Sequence, residues 1–417
     1  MIYQPPTGAR DLLPLDVTQK HWIEERLQQV FQRYGYHQII TSTLERLDTL
    51  MAGGAIERRS VIQLQGLEEE LGLRPELTAS IARAAVTRMA GVTHGQRLYY
   101  IANVFRRTKS SSHNRVQEFY QAGVELLGGG GGLADAEILL LVAECLQELG
   151  LASGWRLILG EAGIARSLLS PFPVSLQATV RKAIASLDRV TLENLPLSDA
   201  LKARSLVLLD LRGKPADVLQ RVASLDLDES QSEAVHHLKS LISLLDECYE
   251  GVSSQFPLIL DLSLVQTLDY YTGIVFEVVS DRNQTHILGQ GGRYDRLLGL
   301  YHPQGESSPG IGFALNIEEL QQVLLGSNQL PKFTLASNWL VVPENPDAYF
   351  AAFSYAQKLR SSHHQVQVEM ELEGRNSDTI RAYARSQRIG QIAWIKAGDL
   401  PTIESLNLRP IMPVETL

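Results

Sequence analysis

The sequence predicts an α+β fold, in which an antiparallel sheet is flanked by helices and followed by a small α/β module. Two runs with strand-like alternation, Arg97 to Phe105 and Glu118 to Leu126, are typical of a long antiparallel hairpin. The stretch 164–250 has leucines at helical spacing and few strand signals, which indicates an inserted helical subdomain. Residues 331–417 alternate as β-α-β-α-β, which favours a separate module with a mostly parallel sheet. We therefore expect a core domain at 1–330 that carries the insertion, and a second domain at 331–417.

The composition is that of an ordinary globular protein. The chain has 417 residues, 44% of them hydrophobic and 20% charged, and a net charge of −9. This acidity argues against a dominant nucleic-acid-binding surface. No apolar run reaches membrane-spanning length, and the amino terminus lacks the pattern of a signal peptide. The two cysteines, Cys145 and Cys248, match neither a disulfide framework nor a metal site. We expect a cytoplasmic protein without a bound metal or other cofactor.

The first segments of the core are predicted to be a helix and a strand. A turn-rich entry, Gly8 to Pro14, precedes a capping-box pattern at Asp16 and Gln19, which predicts the start of the helix. The apolar stripe of this helix consists of Ile23, Leu27, Val30, Phe31 and Tyr34. Gly35 is expected to end the helix, and a strand is expected from Tyr36 to Ile40.

The predicted hairpin ends in a basic tip, Thr108 to Arg115. A basic tip can bind phosphates, although a charged hairpin end is more often simply exposed to solvent. The glycine run Gly128 to Gly132 suggests a phosphate loop, but no Gly-Lys-Ser/Thr follows it. We therefore interpret it as a flexible connector into a helix from Ala134 to Leu149, with a strand from Trp155 to Leu159 beyond.

The stretch Leu264 to Glu277 combines polar and aromatic residues with the start of a strand. Asp269, Tyr270 and Tyr271 directly precede the strand-like run that begins at Ile274. A glycine-rich segment, Gly289 to Asp295, follows and suggests backbone packed closely around a ligand. The sequence predicts a small-molecule site here. The alternative is a buried tyrosine hairpin with turn glycines.

Five segments occur in the order found in one known family. They are Gly8 to Pro14, Arg74 to Thr78, the hairpin from Phe105 to Glu125, Leu264 to Glu277, and Gly310 to Leu320. In this order the chain resembles the class II aminoacyl-tRNA synthetase core, and specifically the histidyl-tRNA synthetase family. The similarity includes the insertion and the carboxy-terminal module, which resembles an anticodon-binding domain. That module has nine Lys/Arg and nine Asp/Glu between residues 331 and 417, a neutral balance that weakens any claim that it binds tRNA.

The resemblance implies a pocket for histidine. Its residues would be Glu76, Thr78, Arg106, Gln121, Glu125, Tyr270 and Tyr271. Glu76, Thr78 and Gln121 offer a charge and acceptors for the ligand's ammonium group. Glu125 and Tyr271 supply a carboxylate and a phenol for the imidazole ring. Arg106 would pair with the carboxylate of the amino acid or with a phosphate.

Three positions depart from the synthetase pattern. Gln266 replaces the arginine of the family's Leu-Val-Arg-Gly-Leu-Asp-Tyr-Tyr, and Glu319 replaces the last arginine of motif 3. Thr108 replaces a glutamate of motif 2. Amino-acid activation depends on preorganised cations around the phosphates. We therefore expect that histidine is bound but not adenylated.

A histidine pocket without these cations matches the synthetase-like regulatory subunits of ATP phosphoribosyltransferase. The resemblance implies a chain that is not itself an enzyme and that assembles with the short-form catalytic subunit in a hetero-oligomer. It also implies a role in feedback regulation by L-histidine and a core homodimer formed through the unit Asp16 to Ile40. The main alternative is a divergent histidyl-tRNA synthetase, and a third is a paralogue that binds RNA or another small molecule.

Overall fold

The chain divides into two units, Met1–Pro331 and Lys332–Leu417. The computed structural model describes residues 5, 8–54, 56–65, 68–90, 94–107, 118–223, 225, 227–249, 255–264, 270–280, 286–362 and 366–406.

The first unit contains twelve strands, twelve α-helices and one short 3-10 helix, Arg58–Ser60, among the described residues. The strands are β1 (His37–Gln38), β2 (Leu44–Arg46), β3 (Ile62–Gln63), β4 (Leu71–Leu73), β5 (Gln96–Phe105), β6 (Glu118–Leu127), β7 (Trp155–Glu161), β8 (Arg212–Gly213), β9 (Leu258–Asp261), β10 (Ile274–Ser280), β11 (His286–Arg293) and β12 (Gly310–Asn316). The helices are α1 (Pro14–Arg33), α2 (Leu47–Met51), α3 (Thr78–Arg88), α4 (Gly131–Glu148), α5 (Ala162–Leu169), α6 (Val174–Ala185), α7 (Arg189–Asn194), α8 (Asp199–Leu209), α9 (Pro215–Ala223), α10 (Glu229–Tyr249), α11 (Leu297–Tyr301) and α12 (Ile317–Leu325).

A large mixed sheet organises this unit. Within the described ranges, nine strands pair in the order β1-β5-β6-β12-β11-β10-β7-β9-β8. The pairings are antiparallel except β1 with β5 and β7 with β9. Strands β5 and β6 form the predicted long hairpin, and its tip, Thr108 to Arg115, lies outside the described residues. The α+β class with a mainly antiparallel sheet is confirmed.

The two faces of the sheet bury different clusters, as the alternation of strand side chains requires. Tyr99 of β5 packs into a cluster with residues of α1, α4 and α12, including Phe31 and Cys145. Its neighbour Tyr100 belongs to a second cluster that also contains Tyr270, Tyr271 and residues of α3. The face that carries Tyr100 is therefore the one on which the predicted site residues meet.

The start of α1 differs from the prediction. The helix begins at Pro14, since proline suits the first helical position, where no N–H partner is needed. Asp16 lies inside the first turn, and its Oδ2 accepts a hydrogen bond from the backbone N–H of Leu13 at 3.0 Å. The predicted pairing of Asp16 with Gln19 is wrong, because Gln19 instead donates to the carbonyl of Pro331 at 2.9 Å. The end near Gly35, which has φ +77°, is as predicted.

Replacing Asp16 with alanine is expected to lower the free energy of unfolding by about 1 kcal/mol, because the N–H of Leu13 loses its acceptor. Asp16→Asn, which keeps an acceptor oxygen, should lose less than half of that. Urea denaturation followed by circular dichroism measures both. Equal stability of the alanine variant and the parent would contradict this account of the helix start.

The helical insertion contains one strand that the sequence did not reveal. Helices α5 to α10 lie in the predicted region, but β8 interrupts them and pairs with β9, with Arg212 opposite Asp261. A strand of two residues has no periodicity for a sequence pattern to show. The glycine-rich segment Gly289 to Asp295 is also mostly strand, since β11 extends to Arg293.

The second unit is a small α/β module. Its elements are β13 (Trp339–Pro343), α13 (Tyr349–Arg360), β14 (Val368–Met370), α14 (Ser377–Ser386), β15 (Gln391–Ile395) and β16 (Thr402–Ser405). Strands β14, β13 and β15 are parallel, as predicted, and β16 adds an unpredicted antiparallel edge.

None of the described helices combines the length and the apolar character that a membrane-spanning helix needs.

Candidate functional site

A cavity of about 250 Å³ lies on the Tyr100 face of the sheet. Strand β6 contributes Gln121 to its wall, while Ala314 of β12 and Gln290 of β11 line the same face. The volume is below the roughly 300–1,000 Å³ of typical drug-sized pockets, so the cavity suits a ligand as small as one amino acid.

The amino-terminal end of α3 forms one wall of the cavity. The carboxylate of Glu76 accepts hydrogen bonds from the backbone N–H groups of Thr78 at 2.6 Å and Ala79 at 3.0 Å. The first N–H groups of a helix have no partner within the helix, and the helix dipole is positive at this end. A carboxylate is therefore stabilised here. Arg106, directly after β5, donates from Nε to the carbonyl of Pro75 at 2.7 Å, and its guanidinium lies 5.1 Å from the ring centre of Phe119.

Glu125 is buried behind this wall. Its side chain accepts hydrogen bonds from the Thr78 hydroxyl at 2.7 Å and from the hydroxyl of Tyr294, and the residue is 1% exposed. Burial raises the pKa of Glu125 to about 8, and the nearby charge of Glu76 acts in the same direction. The two hydroxyl donors oppose this shift, because they stabilise the ionised form.

Three tyrosines enclose the remaining side. The ring centre of Tyr270 lies 5.0 Å from that of Tyr271 and 6.0 Å from that of Tyr294, both in edge-to-face geometry. Tyr271 lies so close to Gly292 that a Cβ there would be 2.8 Å from its ring. Gly312 on β12 likewise leaves room for the carboxylate of Glu125. The glycines of these strands therefore accommodate pocket side chains, rather than a ligand directly as the sequence suggested.

The electrostatics of the cavity favour a ligand with a positive group. Burial raises the pKa of Glu76 as well as that of Glu125, so both carboxyls lack a full compensating charge. Burial lowers the pKa of Arg106, while the charge of Glu76 opposes that shift. A cationic group near Glu76 and an anionic group near Arg106 would therefore each gain a desolvated partner.

The predicted site residues come together around this cavity. Glu76, Thr78, Arg106, Gln121, Tyr270 and Tyr271 line it, and Glu125 is bonded to one of them, Thr78. Three further lining residues, Tyr100, Gln290 and Tyr294, were not predicted from the sequence. Gln290 and Tyr294 belong to the glycine-rich segment already singled out, so that segment was a usable signal. Tyr100 has no such signal, because its neighbour Tyr99 has the same side chain and faces the other way.

One of the three departures from the synthetase pattern falls within the described residues. Glu319 lies at the start of α12, and its Oε2 is 2.7 Å from Nδ1 of His286. Its carboxylate is thus paired with a neighbouring side chain and does not line the cavity. Thr108 and Gln266 lie outside the described residues.

Comparison with known proteins gives one consistent result. The histidyl-tRNA synthetase family matches residues 8–320. The ATP phosphoribosyltransferase regulatory subunit of Nostoc punctiforme is 67% identical, over 98% of this chain and 100% of that protein. The protein of the same name from a Cyanothece species is 60% identical, over 98% and 100% of the two chains.

Solved structures agree. A protein from Bacillus halodurans described as an ATP phosphoribosyltransferase regulatory subunit/histidyl-tRNA synthetase has a TM-score of 0.76 at 27% identity, covering 92% of this chain and 97% of that one. The histidyl-tRNA synthetase of a Nostoc species has a TM-score of 0.74 at 20% identity, covering 94% and 91%, and shows the shared fold.

These findings confirm the expected family, whereas the synthetases are distant relatives of the same fold. The chain belongs to the family of ATP phosphoribosyltransferase regulatory subunits, non-catalytic proteins that share the histidyl-tRNA synthetase core.

Proposed function

We propose that the chain binds L-histidine in the cavity and conveys its feedback effect to the short-form catalytic subunit of ATP phosphoribosyltransferase. The two proteins would form a hetero-oligomer that carries out the first step of histidine biosynthesis. The regulatory chain contributes a coupling free energy between the histidine site and the partner, of about 1–3 kcal/mol in typical allosteric proteins.

Glu125 is the observation that carries the proposal. A carboxyl that is 1% exposed, and whose pKa burial raises to about 8, costs free energy to ionise, and a cationic ligand group beside it would offset that cost. An imidazole brings ring nitrogens that donate or accept a hydrogen bond, and so it complements this group in either protonation state.

The rest of an amino acid finds partners in the same cavity. Its ammonium group suits Glu76, whose charge lies at one wall, with Gln121 as a further acceptor. Its carboxylate suits Arg106, a cation that lines the cavity and is positioned by the bond from its Nε to the carbonyl of Pro75. Three chemically distinct ends of one ligand thus have three matched partners.

We also propose that the chain forms a homodimer. A homodimer would form through α1 and β1, next to which Ile40 is 86% exposed. We propose a cytoplasmic location and no role in tRNA binding, in keeping with the neutral balance of the second unit.

Reconstitution with the catalytic subunit tests the proposal. Phosphoribosyl transfer to ATP is expected only when this chain and the short-form subunit are mixed, and histidine should inhibit the mixture. Full activity of the short-form subunit alone would refute the proposed role.

Histidine affinity is expected to be highest between about pH 6.5, the pKa of a free imidazole, and about pH 8, the pKa of Glu125. In the complex, the imidazole and Glu125 share one proton. Below this window the two free groups hold two protons, so binding must release one. Above it they hold none, so binding must take one up. The affinity should therefore fall about tenfold per pH unit on either side.

Calorimetric titrations across this range measure the effect. Glu125→Gln, which does not titrate, should lose the decline that starts near pH 8, while the amino group of histidine titrates equally in both proteins. A parent profile that matches the Glu125→Gln profile at high pH would contradict the shared-proton account.

A further inference from the structure

A second and larger cavity lies in the helical insertion and shares no residue with the histidine pocket. It has a volume of about 1090 Å³ and is a groove between α9 and α10. Ala216, Leu219 and Ala223 of α9 face it at helical spacing, and so do Val235 and Ile242 of α10. We call this cavity the α9–α10 groove.

The floor of the groove is apolar and its rim is cationic. Phe256, which is 4% exposed, and Leu258, the first residue of β9, belong to its apolar lining. The lining includes the cations Arg156, Lys214 and Lys239, together with one carboxylate, Asp246. That carboxylate is engaged, because its Oδ1 accepts the N–H of Phe256 at 3.0 Å. The groove thus has a positive rim in a chain whose net charge is −9.

The two lysines at the rim are available to pair with a carboxylate of a ligand. Lys214 and Lys239 are both exposed, and neither has a carboxylate partner in the part of the chain that the structure describes. Lysines left unpaired beside apolar side chains suit a ligand that is itself apolar along one face and acidic along its edges.

The length of the groove indicates the shape of its occupant. Lining residues of α10 extend from Ser232 to Asp246, which is about 21 Å along a helix axis. An occupant helix of the same length has about four turns. Apolar stripes on two facing helices are the usual receptor for an amphipathic helix, which inserts its apolar face into the groove.

We propose that the α9–α10 groove docks an acidic amphipathic helix of the catalytic partner subunit. The groove determines the chemistry of the docked segment, while the identity of the partner rests on the proposed function. Leu219 and Ile242 would contact the apolar face of that helix, and Lys214 and Lys239 would pair with carboxylates along its edges.

A defined peptide tests the chemistry of the groove. The probe is a helical peptide of 14 residues with a leucine stripe flanked by glutamates, titrated into the intact chain by fluorescence anisotropy. The double variant Lys214→Glu/Lys239→Glu should bind it about tenfold more weakly and with less dependence on salt. The matched control Lys182→Glu/Lys332→Glu, which changes two exposed lysines elsewhere, should bind like the parent.

Several outcomes would overturn the proposal. One is equal binding of the same peptide with lysines in place of its glutamates. Another is an equal loss of binding in the control variant. Binding of ATP, used as a small anionic probe, that depends on Lys214 and Lys239 while the peptide fails to bind would make the groove a small-molecule site. Self-association of the chain that the double variant abolishes would place a second copy there.

Assembly with the catalytic subunit tests the partner. The parent chain should form a complex that the Lys214→Glu/Lys239→Glu variant forms about tenfold more weakly, with the control unchanged. No complex with the parent chain would contradict the proposed function itself. Equally strong complexes with parent and variant would leave that function intact and refute only the docking of the partner in this groove.

Discussion

Histidine-dependent exchange of labelled pyrophosphate into ATP is expected to be roughly 10⁴–10⁶-fold slower with this chain than with an arginine-complete histidyl-tRNA synthetase. Each missing cation near the phosphates typically costs about 3–4 kcal/mol in the barrier. The resemblance to the synthetases implies that two such arginines are replaced here, by Gln266 and Glu319. At position 319 the positive charge is replaced by a negative one. The Oε2 atom of this carboxylate lies 2.7 Å from Nδ1 of His286.

The arginine-complete enzyme, assayed in parallel under the same conditions, provides the control for this assay. Exchange by this chain within about tenfold of that enzyme would mean that other groups supply the missing charge. That outcome would contradict the loss of adenylation.

Glu125→Ala is expected to weaken histidine binding about 100-fold, because the imidazole loses a desolvated carboxyl and the hydroxyls of Thr78 and Tyr294 lose their acceptor. Isothermal titration calorimetry measures the affinity directly. Glu229→Ala is the matched control, since Glu229 is an exposed glutamate on α10, a helix that contributes no residue to the cavity. A variant that binds histidine as tightly as the parent would place the ligand elsewhere.

The loss in Glu125→Ala must be separated from a loss of fold. Circular dichroism and the urea midpoint of the variant show whether the core remains folded. Glu125→Gln offers a second comparison, because it keeps a hydrogen-bonding group of similar size against Gly312. It should bind histidine more tightly than the alanine variant does.

The long elements could be predicted from the sequence because their signals are local, whereas the site residues were predicted from the family resemblance. Strands β5 and β6 alternate over ten residues each, so the hairpin was clear. The seven predicted site residues came from ordered family segments, and the same strands place Gln121 and Glu125 on one face.

Features that depend on distant pairing could not be read in this way. Glu125 lies opposite Gly312 in the sheet, although the two residues are far apart in the chain. Only the register of β6 with β12 shows why that glycine is needed. The bond from Tyr294 to Glu125 likewise requires strands that are not neighbours in sequence.

Two short strands were not predicted, for a different reason. Strand β8 has only two residues, and β16 has a single apolar residue and is mostly exposed, so neither shows the apolar pattern that predicts a strand. The start of α1 was misplaced because Pro14 and Asp16 both match the residue preferences of a helix start. In the structure Pro14 is the first helical residue, and Asp16 accepts a hydrogen bond from the backbone N–H of Leu13.

We propose that histidine acts on the catalytic subunit through the cavity beside Glu125. Inhibition by histidine is therefore measured on the reconstituted ATP phosphoribosyltransferase, assembled with either the parent chain or Glu125→Ala, and each activity is normalised to its value without histidine. We expect the histidine concentration for half-inhibition to be about 100-fold higher with the variant. Identical half-inhibition with both chains would show that histidine acts at another site and would contradict the account.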